Sequence, residues 1–376
     1  MDSPLPVLSG LASSDGYRDA AVAHALAARL RTHTTRPVNL MEVCGTHTVA
    51  IFRHGIRQLL PPNVNMLSGP GCPVCVTANE DLDKAIGLAL APGVTLCTFG
   101  DMLKVPGSFS SLQRARAQGA DVRVVYSPLD ALRLAEQHPE RQIVFYGVGF
   151  ETTAPTVAAS IVEARRRGLA NYSVASVHKV VPPALRVLLE ASEVHIDGFL
   201  MPGHVSAIIG SQPYEFIARE FGIPCVVGGF EPLDILQALD MLLVQIAAQE
   251  ARVEIAYTRA VRPQGNPAAL KMMAEAFVPV DAAWRGIGVI PGSGLALRPD
   301  LADYDALRRF PLNLPPPREN KSCRCGEVLR GVLRPPQCPL FGRACTPENP
   351  IGPCMVSFEG TCSAWYQYGG AEMLAA

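Results

Sequence analysis

Val38-Asn39-Leu40-Met41-Glu42-Val43-Cys44-Gly45-Thr46-His47 opens the stretch that decides the fold. Apolar residues follow at Val49, Phe52, Ile56 and Leu59, and then Val64-Asn65-Met66-Leu67-Ser68-Gly69-Pro70-Gly71-Cys72-Pro73-Val74-Cys75. An apolar run, a loop with Gly or Pro, and apolar residues at helical spacing make one βα unit. The unit repeats along the chain. Strands are expected at Val38 to Val43, Val64 to Leu67, Val94 to Phe99, Val122 to Tyr126, Ile143 to Gly147, Tyr172 to Val177, Gly198 to Met201 and Pro224 to Val227. Eight strands suffice for two parallel sheets. Thr77-Ala78-Asn79-Glu80 reads as a capping box opening a helix through Leu90. Leu233 to Ala248 is interrupted by Asp234, Gln237, Asp240 and Gln245, and reads as a long packed helix rather than a membrane span.

Working outward, the polar break Gln137-His138-Pro139-Glu140 divides the α/β part near residue 140. After Arg252 the alternation loosens, and from Pro311 the chain is rich in Pro and Cys. The expected organisation is an α/β fold: two parallel-sheet α/β lobes facing a cleft, plus a loop-rich, cysteine-containing C-terminal domain. The boundaries are 1–140, 141–251 and 252–376.

A chain of 376 residues, 48% hydrophobic, builds its own cores and does not need cross-links to fold. Met1-Asp2-Ser3-Pro4-Leu5-Pro6 lacks the basic and apolar regions of a signal peptide, so the compartment is expected to be reducing and cytoplasmic. Eleven cysteines then point to metal and redox chemistry. A formal charge of -1 with no Lys/Arg block leaves no footprint for nucleic acid. Small molecules and proteins are the expected partners.

Cys323, Cys325, Cys338, Cys345, Cys354 and Cys362 fall within the 40 residues 323–362. Several thiolates converging from a Pro- and Gly-rich segment suit a metal core, because a backbone free to bend can direct spare N–H groups at sulfur. Zinc also takes four thiolates, but its structural sites come as paired knuckles with two to four residues between ligands. Here Cys338, Cys345, Cys354 and Cys362 are separated by six, eight and seven residues, and Cys323-Arg324-Cys325 is too tight for a knuckle. Spacing favours an iron–sulfur cluster over zinc or free thiols and leaves open which four cysteines bind.

Ligands in open α/β sheets bind beyond the carboxyl ends of strands. Cys44 stands at a helix start, where the dipole favours thiolate, with His47 one turn on; a buried Cys and a capping Thr explain the same residues equally well. Cys72 and Cys75 enter a helix with redox-motif spacing, in a Gly/Pro loop expected to stay exposed; half a zinc site is the alternative. Further strand ends carry Gly100-Asp101-Met102-Leu103-Lys104, Gly149-Phe150-Glu151-Thr152-Thr153, Pro202-Gly203-His204-Val205-Ser206 and Gly228-Gly229-Phe230-Glu231-Pro232. Thr153 and Ser206 also read as helix caps. Neither a phosphate loop nor a dinucleotide fingerprint is present, so no nucleotide cofactor is expected. Cys97 and Cys225 read as core residues.

Five motifs, in order along nearly the whole chain, resemble the HypD family of [NiFe]-hydrogenase maturation proteins. They are Cys44-Gly45-Thr46-His47, Gly69 through Cys75, Gly149 through Thr153, Met201 through Ser206, and the tail from Cys338-Pro339-Leu340-Phe341-Gly342 through Gly352-Pro353-Cys354-Met355-Val356-Ser357 to Cys362. Lys104 departs from the Arg expected in the family's loop and lacks its bidentate fork. The resemblance implies a scaffold on which an iron carrying two cyanides and one carbon monoxide is assembled for the hydrogenase large subunit. A HypC-type chaperone would be the partner and a HypE-type protein the cyanide donor. Cys44 would bind the iron, with His47 orienting the site or serving protons. A [4Fe-4S] cluster on Cys338, Cys345, Cys354 and Cys362, together with Cys72 and Cys75, would pass electrons to it. Asp101, Glu151, Thr152, Thr153 and His204 would line the cleft.

Two rivals use the same residues. An iron–sulfur dithiol oxidoreductase acting on other proteins needs Cys72 and Cys75 but not Cys44. A zinc-stabilised interaction protein needs only the tail.

Overall fold

The computed structural model describes residues 14–191 and 193–370, so the hexapeptide Met1 to Pro6 lies outside the described residues. The β-branched and apolar runs form strands Val38–Glu42 (β1), Val64–Ser68 (β2), Val94–Thr98 (β3), Asp121–Val124 (β4), Gln142–Gly147 (β5), Tyr172–Ser176 (β6), Gly198–Pro202 (β7) and Cys225–Gly228 (β8). All eight expected strands are present, shifted by a residue or two at their ends. A short edge strand, Val253–Ile255 (β9), and an antiparallel hairpin, Phe277–Trp284 (β10) with Gly288–Leu297 (β11), were not legible in the sequence.

The parallel strands form two sheets, ordered β2-β1-β7-β8-β9 and β4-β3-β5-β6. The chain therefore leaves the first sheet after β2, builds the second sheet whole, and returns at β7, where Gly198 pairs with Leu40 of β1. This corrects the division at residue 140, which would separate β3 from β5 although Val94 lies opposite Gln142. The break at 137–140 is a surface turn between the helix Pro128–Gln137 and β5. Strand β3 is buried along its whole length and needs neighbours on both edges.

Helices cover both sheets. Leu26 and Leu30 of Ala20–His33, with Leu236, Leu239 and Leu243 of Pro232–Ala248, pack on the first sheet. Val157 and Ile161 of Ala154–Arg167 cover one face of the second, and Leu82 and Ile86 of Asn79–Leu90 the other. Each such side chain contributes roughly 1.5–3 kcal/mol by leaving water. The expected helix at Leu233 to Ala248 forms and is buried along most of its length, with Val244 and its final residues exposed. Among the described residues no helix is long and apolar enough to cross a membrane.

Two local expectations change. The stripe Val49, Phe52, Ile56, Leu59 is split into helices Gly45–Arg53 and Ile56–Leu59 by Gly55, whose φ of 63° is left-handed. Thr77 opens no capping box. Its hydroxyl donates back to Pro73 O at 2.8 Å and closes the short helix Pro73–Val76, while the next helix starts after Ala78 without a side-chain cap.

The tail is loop-built, with short helices Cys325–Leu329, Pro353–Val356 and Thr361–Tyr368. Trp365 meets Phe52 edge-on at 5.0 Å between centroids and so docks the tail on the helix that begins after Cys44.

Candidate thiol and metal site

The carboxyl ends of β1, β2, β7 and β8 lie side by side, and each loop leaving them carries a residue singled out above. Cys44 occupies the N-cap position of the helix Gly45–Arg53 without a side-chain cap hydrogen bond, and the His47 and Thr46 backbone N–H groups lie on the side of its sulfur. Gly71 lies against it: Gly45 N donates to Gly71 O at 3.0 Å, and a Cβ at Gly71 would collide with the backbone N and Cα of Cys44. Only glycine lets the two thiol loops approach so closely.

Cys72 and Cys75 are joined in a disulfide, with Cα atoms 5.2 Å apart. Cys72 Sγ also accepts the Cys75 N–H at 3.2 Å. The two residues are 3% and 0% exposed, which corrects the expectation of an exposed loop. Pro73 and the glycines turn the chain inward, into an apolar cluster shared with Val43, Phe150, Tyr214 and Trp284. That cluster joins the carboxyl ends of the two sheets.

Cys44 is buried as well. Burial first, then the Glu359 and Glu42 carboxyls, push its thiol up to about 12 against the two helix N–H groups. The dipole expected to favour thiolate is outweighed in the isolated chain, and a bound cation would supply the missing counter-charge. Glu42, raised to about 8 by burial, accepts from Cys44 N at 3.0 Å and from the Thr48 hydroxyl at 2.6 Å.

His47 is fully buried and held down to about 4 by burial. Its Nε2 lies 2.8 Å from Gly229 O, so Nε2 carries the proton and Nδ1 is a bare acceptor without a partner. Phe230 lies between His47 and the exposed His204, whose ring stacks on it at 3.9 Å. Burial lowers His204 too.

From the second sheet, Asp101 connects to the Cys44 loop through the tail. Ser357 Oγ donates to Asp101 Oδ2 at 3.0 Å and accepts from Glu359 N at 3.3 Å, while Thr46 donates to Glu359 Oε1 at 2.6 Å. Glu151 is buried and raised to about 7 by burial; Oε1 accepts the Val181 N–H at 2.9 Å and Oε2 has no partner. Thr152 is exposed, and Thr153 Oγ1 donates to Phe150 O at 3.3 Å within its own loop. Thr153 occupies the cap position of its helix without capping it, and Ser206 lies inside a helix donating to Pro202 O. Cys97 and Cys225 are fully buried core residues.

All six tail cysteines line one enclosed space. Thiol contacts run from Cys323 to Cys325, from Cys325 to Cys354 and from Cys354 to Cys362. Cys345 Sγ accepts the Ile351 N–H at 3.3 Å. Among the described residues no three donors already stand in a metal-site arrangement. The donor chemistry, thiols alone around an apolar pocket with backbone N–H groups supplied to sulfur, fits a cluster.

Sequence reasoning missed Glu42, Glu359 and Tyr214. Glu42 had a signal, a carboxylate inside a buried strand next to a cysteine. Tyr214 had none, since it reaches the site only through the chain's return to the first sheet.

Two parallel sheets that bring thiols and buried carboxyls to the carboxyl ends of their strands, with a cysteine-lined tail docked beside them, define a cysteine-rich α/β protein. The family model described as "Hydrogenase formation hypA family" (HypD) matches residues 21–369. The chain is 49% identical over 364 residues to the hydrogenase maturation factor HypD of Azotobacter vinelandii, covering 94% of this chain and 96% of that one. It is 48% identical to that of Rhizobium leguminosarum bv. viciae (94% and 95% covered) and 49% identical to that of Escherichia coli (92% and 93%). The chain belongs to the HypD family of hydrogenase maturation proteins.

Proposed function

We propose that this chain is the scaffold on which, together with a HypC-type chaperone, the Fe(CN)2CO unit of a [NiFe] hydrogenase is assembled before delivery to the large subunit. The observation that carries the reading is the convergence on Cys44, beside its own helix N–H groups, of two separate segments: the Cys72–Cys75 loop through Gly71 and the tail through Glu359. Iron is the substrate, and Cys44 is its thiolate on this chain. Cyanide and carbon monoxide bind electron-rich ferrous iron, so electrons are needed beside the soft donor. A [4Fe-4S] cluster on Cys338, Cys345, Cys354 and Cys362 supplies one-electron transfer when bound. The Cys72–Cys75 pair exchanges two electrons.

The remaining side chains hold the substrate's surroundings. His47, with its proton fixed on Nε2, offers Nδ1 as an acceptor. Glu151 keeps a proton inside the cluster between the sheets. Asp101, Thr152, Thr153 and His204 lie at strand ends where the chaperone and the HypE-type cyanide donor would approach. The burial of Cys72 and Cys75 weighs against a reductase of other proteins' disulfides, which would need its thiols at the surface.

Complementation of a strain lacking its HypD protein tests this. Cys44→Ala should abolish hydrogenase maturation while the purified variant keeps its iron and broad visible absorption. Maturation surviving Cys44→Ala but lost in Cys72→Ala would favour the oxidoreductase instead.

A further inference from the structure

Two consecutive glycines, Gly228 and Gly229, give the loop after β8 little stiffness of its own. Yet Gly229 O is the acceptor that fixes the His47 proton on Nε2, at 2.8 Å. Phe230, the next residue, meets the His47 ring at 4.8 Å and the His204 ring at 3.9 Å between centroids. Whatever holds Gly229 and Phe230 in place therefore sets the surroundings of both histidines.

Asp234 and Tyr257 provide that hold. Asp234 is 3% exposed, its Oδ2 accepts the Glu231 N–H at 3.2 Å, and a Cβ on Gly229 would collide with the same oxygen. Tyr257, just past β9, also presses on Gly229, where a Cβ would come within 2.6 Å of its ring. The Tyr257 ring meets Phe230 edge-on at 5.9 Å and lies 3.0 Å from where a Cβ on Gly203, the residue before His204, would stand.

Arg259 joins the two. It grips Asp234 with both prongs of its guanidinium, Nη1 to Oδ1 at 2.6 Å and Nη2 to Oδ2. The same guanidinium lies over the Tyr257 ring at 4.5 Å and over the Tyr17 ring at 4.1 Å. A bidentate carboxylate in the plane and aromatic rings over the face use what Arg has and Lys lacks. Tyr17 belongs to the short helix Ser14–Arg18, whose Arg18 reaches Glu231 of the same loop. A capping carboxyl does not need such a clamp. Asp130 accepts the Ser127 N–H at 3.0 Å at the start of the helix Pro128–Gln137, with an exposed arginine of its own helix, Arg133, as its partner.

We propose that Arg259 is a positioning residue of the iron site: through Asp234 and Tyr257 it holds the Gly229 carbonyl and the Phe230 ring, and so keeps the His47 proton on Nε2 and Nδ1 a bare acceptor. The inference rests on the proposed function in giving His47 a part in the iron chemistry. Loss of a group that orients a histidine at a metal site lowers activity about 10–100-fold.

The test reads the His47 tautomer by nitrogen-15 NMR of the full, cluster-loaded, histidine-labelled chain near neutral pH, where burial keeps the ring uncharged. H47Q identifies its signals among the eight histidines. R259Q leaves Asp234 buried without its counter-charge, so the double variant D234N/R259Q, which removes both charges, is measured beside it. In both, His47 should show a mixture of tautomers in place of Nε2–H alone, and hydrogenase maturation in the complemented strain should fall about tenfold or more. A His47 that stays wholly Nε2–H in the folded double variant would overturn the proposal and leave Arg259 a partner of a helix cap, whatever the change in Tm. Loss of the fold in both variants would overturn it too, making Arg259 a residue of the core framework. A changed tautomer with wild-type maturation would overturn it by another route, by removing His47 from the iron chemistry. Failure of the proposed function itself shows separately, as a cluster-loaded wild-type chain without cyanide and carbon monoxide bands in the infrared.

Discussion

Glu151 is a residue whose protonation the fold controls. Burial holds its carboxyl up to about 7 against an ordinary 4.5. Its contribution to stability is therefore fully present below about pH 4.5 and lost as pH rises through 7, because the unfolded chain releases the proton first. Glu151→Gln should remove that slope. Urea unfolding at pH 5 and pH 8 should show the variant gaining on the wild type by on the order of 2–3 kcal/mol; parallel curves would contradict it. His178 acts with the opposite sign. Burial, then Lys179, lower it to about 3, so its contribution is present above pH 6.5 and lost on acidification. At this scale the sequence was readable where chemistry-bearing residues stood at strand ends, as with Cys44, His47 and Glu151. It misled where exposure mattered: a Gly/Pro loop at 69–75 suggested an open thiol pair, and the inward turn that buries it depends on Gly71 meeting Val43 and Cys44, just past the end of β1.

Among the elements, the helix Gly45–Arg53 and the loop Gly69–Cys75 are a fitted pair. A Cβ at Gly71 meets backbone atoms of Val43 and Cys44, which cannot swing aside as a long side chain can. Gly71→Ala should cost about 1–3 kcal/mol, seen as a lower Tm, and should speed alkylation of Cys44; an unchanged alkylation rate would show that the contact does not shield the thiol. Most of the eight expected strands were legible because they are buried on both faces and read as apolar runs; the edge strand β4, only partly buried, was legible through its two valines. The hairpin β10–β11 was not, since Pro279, Asp281 and Gly292 interrupt its alternation and its outer residues face solvent. The stripe from Val49 to Leu59 looked like one helix because periodicity carries no record of a left-handed glycine at position 55.

For the molecule as a whole, the order of strands is what sequence pattern cannot supply. Each βα unit looks alike, and the choice of β7 rather than β3 as neighbour to β1 is made by packing between units far apart in the chain. A fragment ending at residue 140 contains β1 without β7 and β3 without β5, so it should show no cooperative melting by circular dichroism; a sharp two-state transition would contradict the interleaved topology. The same interleaving brings the ends of both sheets and the tail to one place, and the proposed chemistry depends on that meeting.

Infrared spectroscopy of the anaerobic protein, co-produced with its partner proteins, tests the central claim most directly. Cyanide and carbon monoxide stretches fall where proteins are transparent. The account predicts these bands in the wild type and their loss in Cys44→Ala with the visible absorption of the tail retained. Their absence from a cluster-loaded wild type, or their persistence without Cys44, would contradict it.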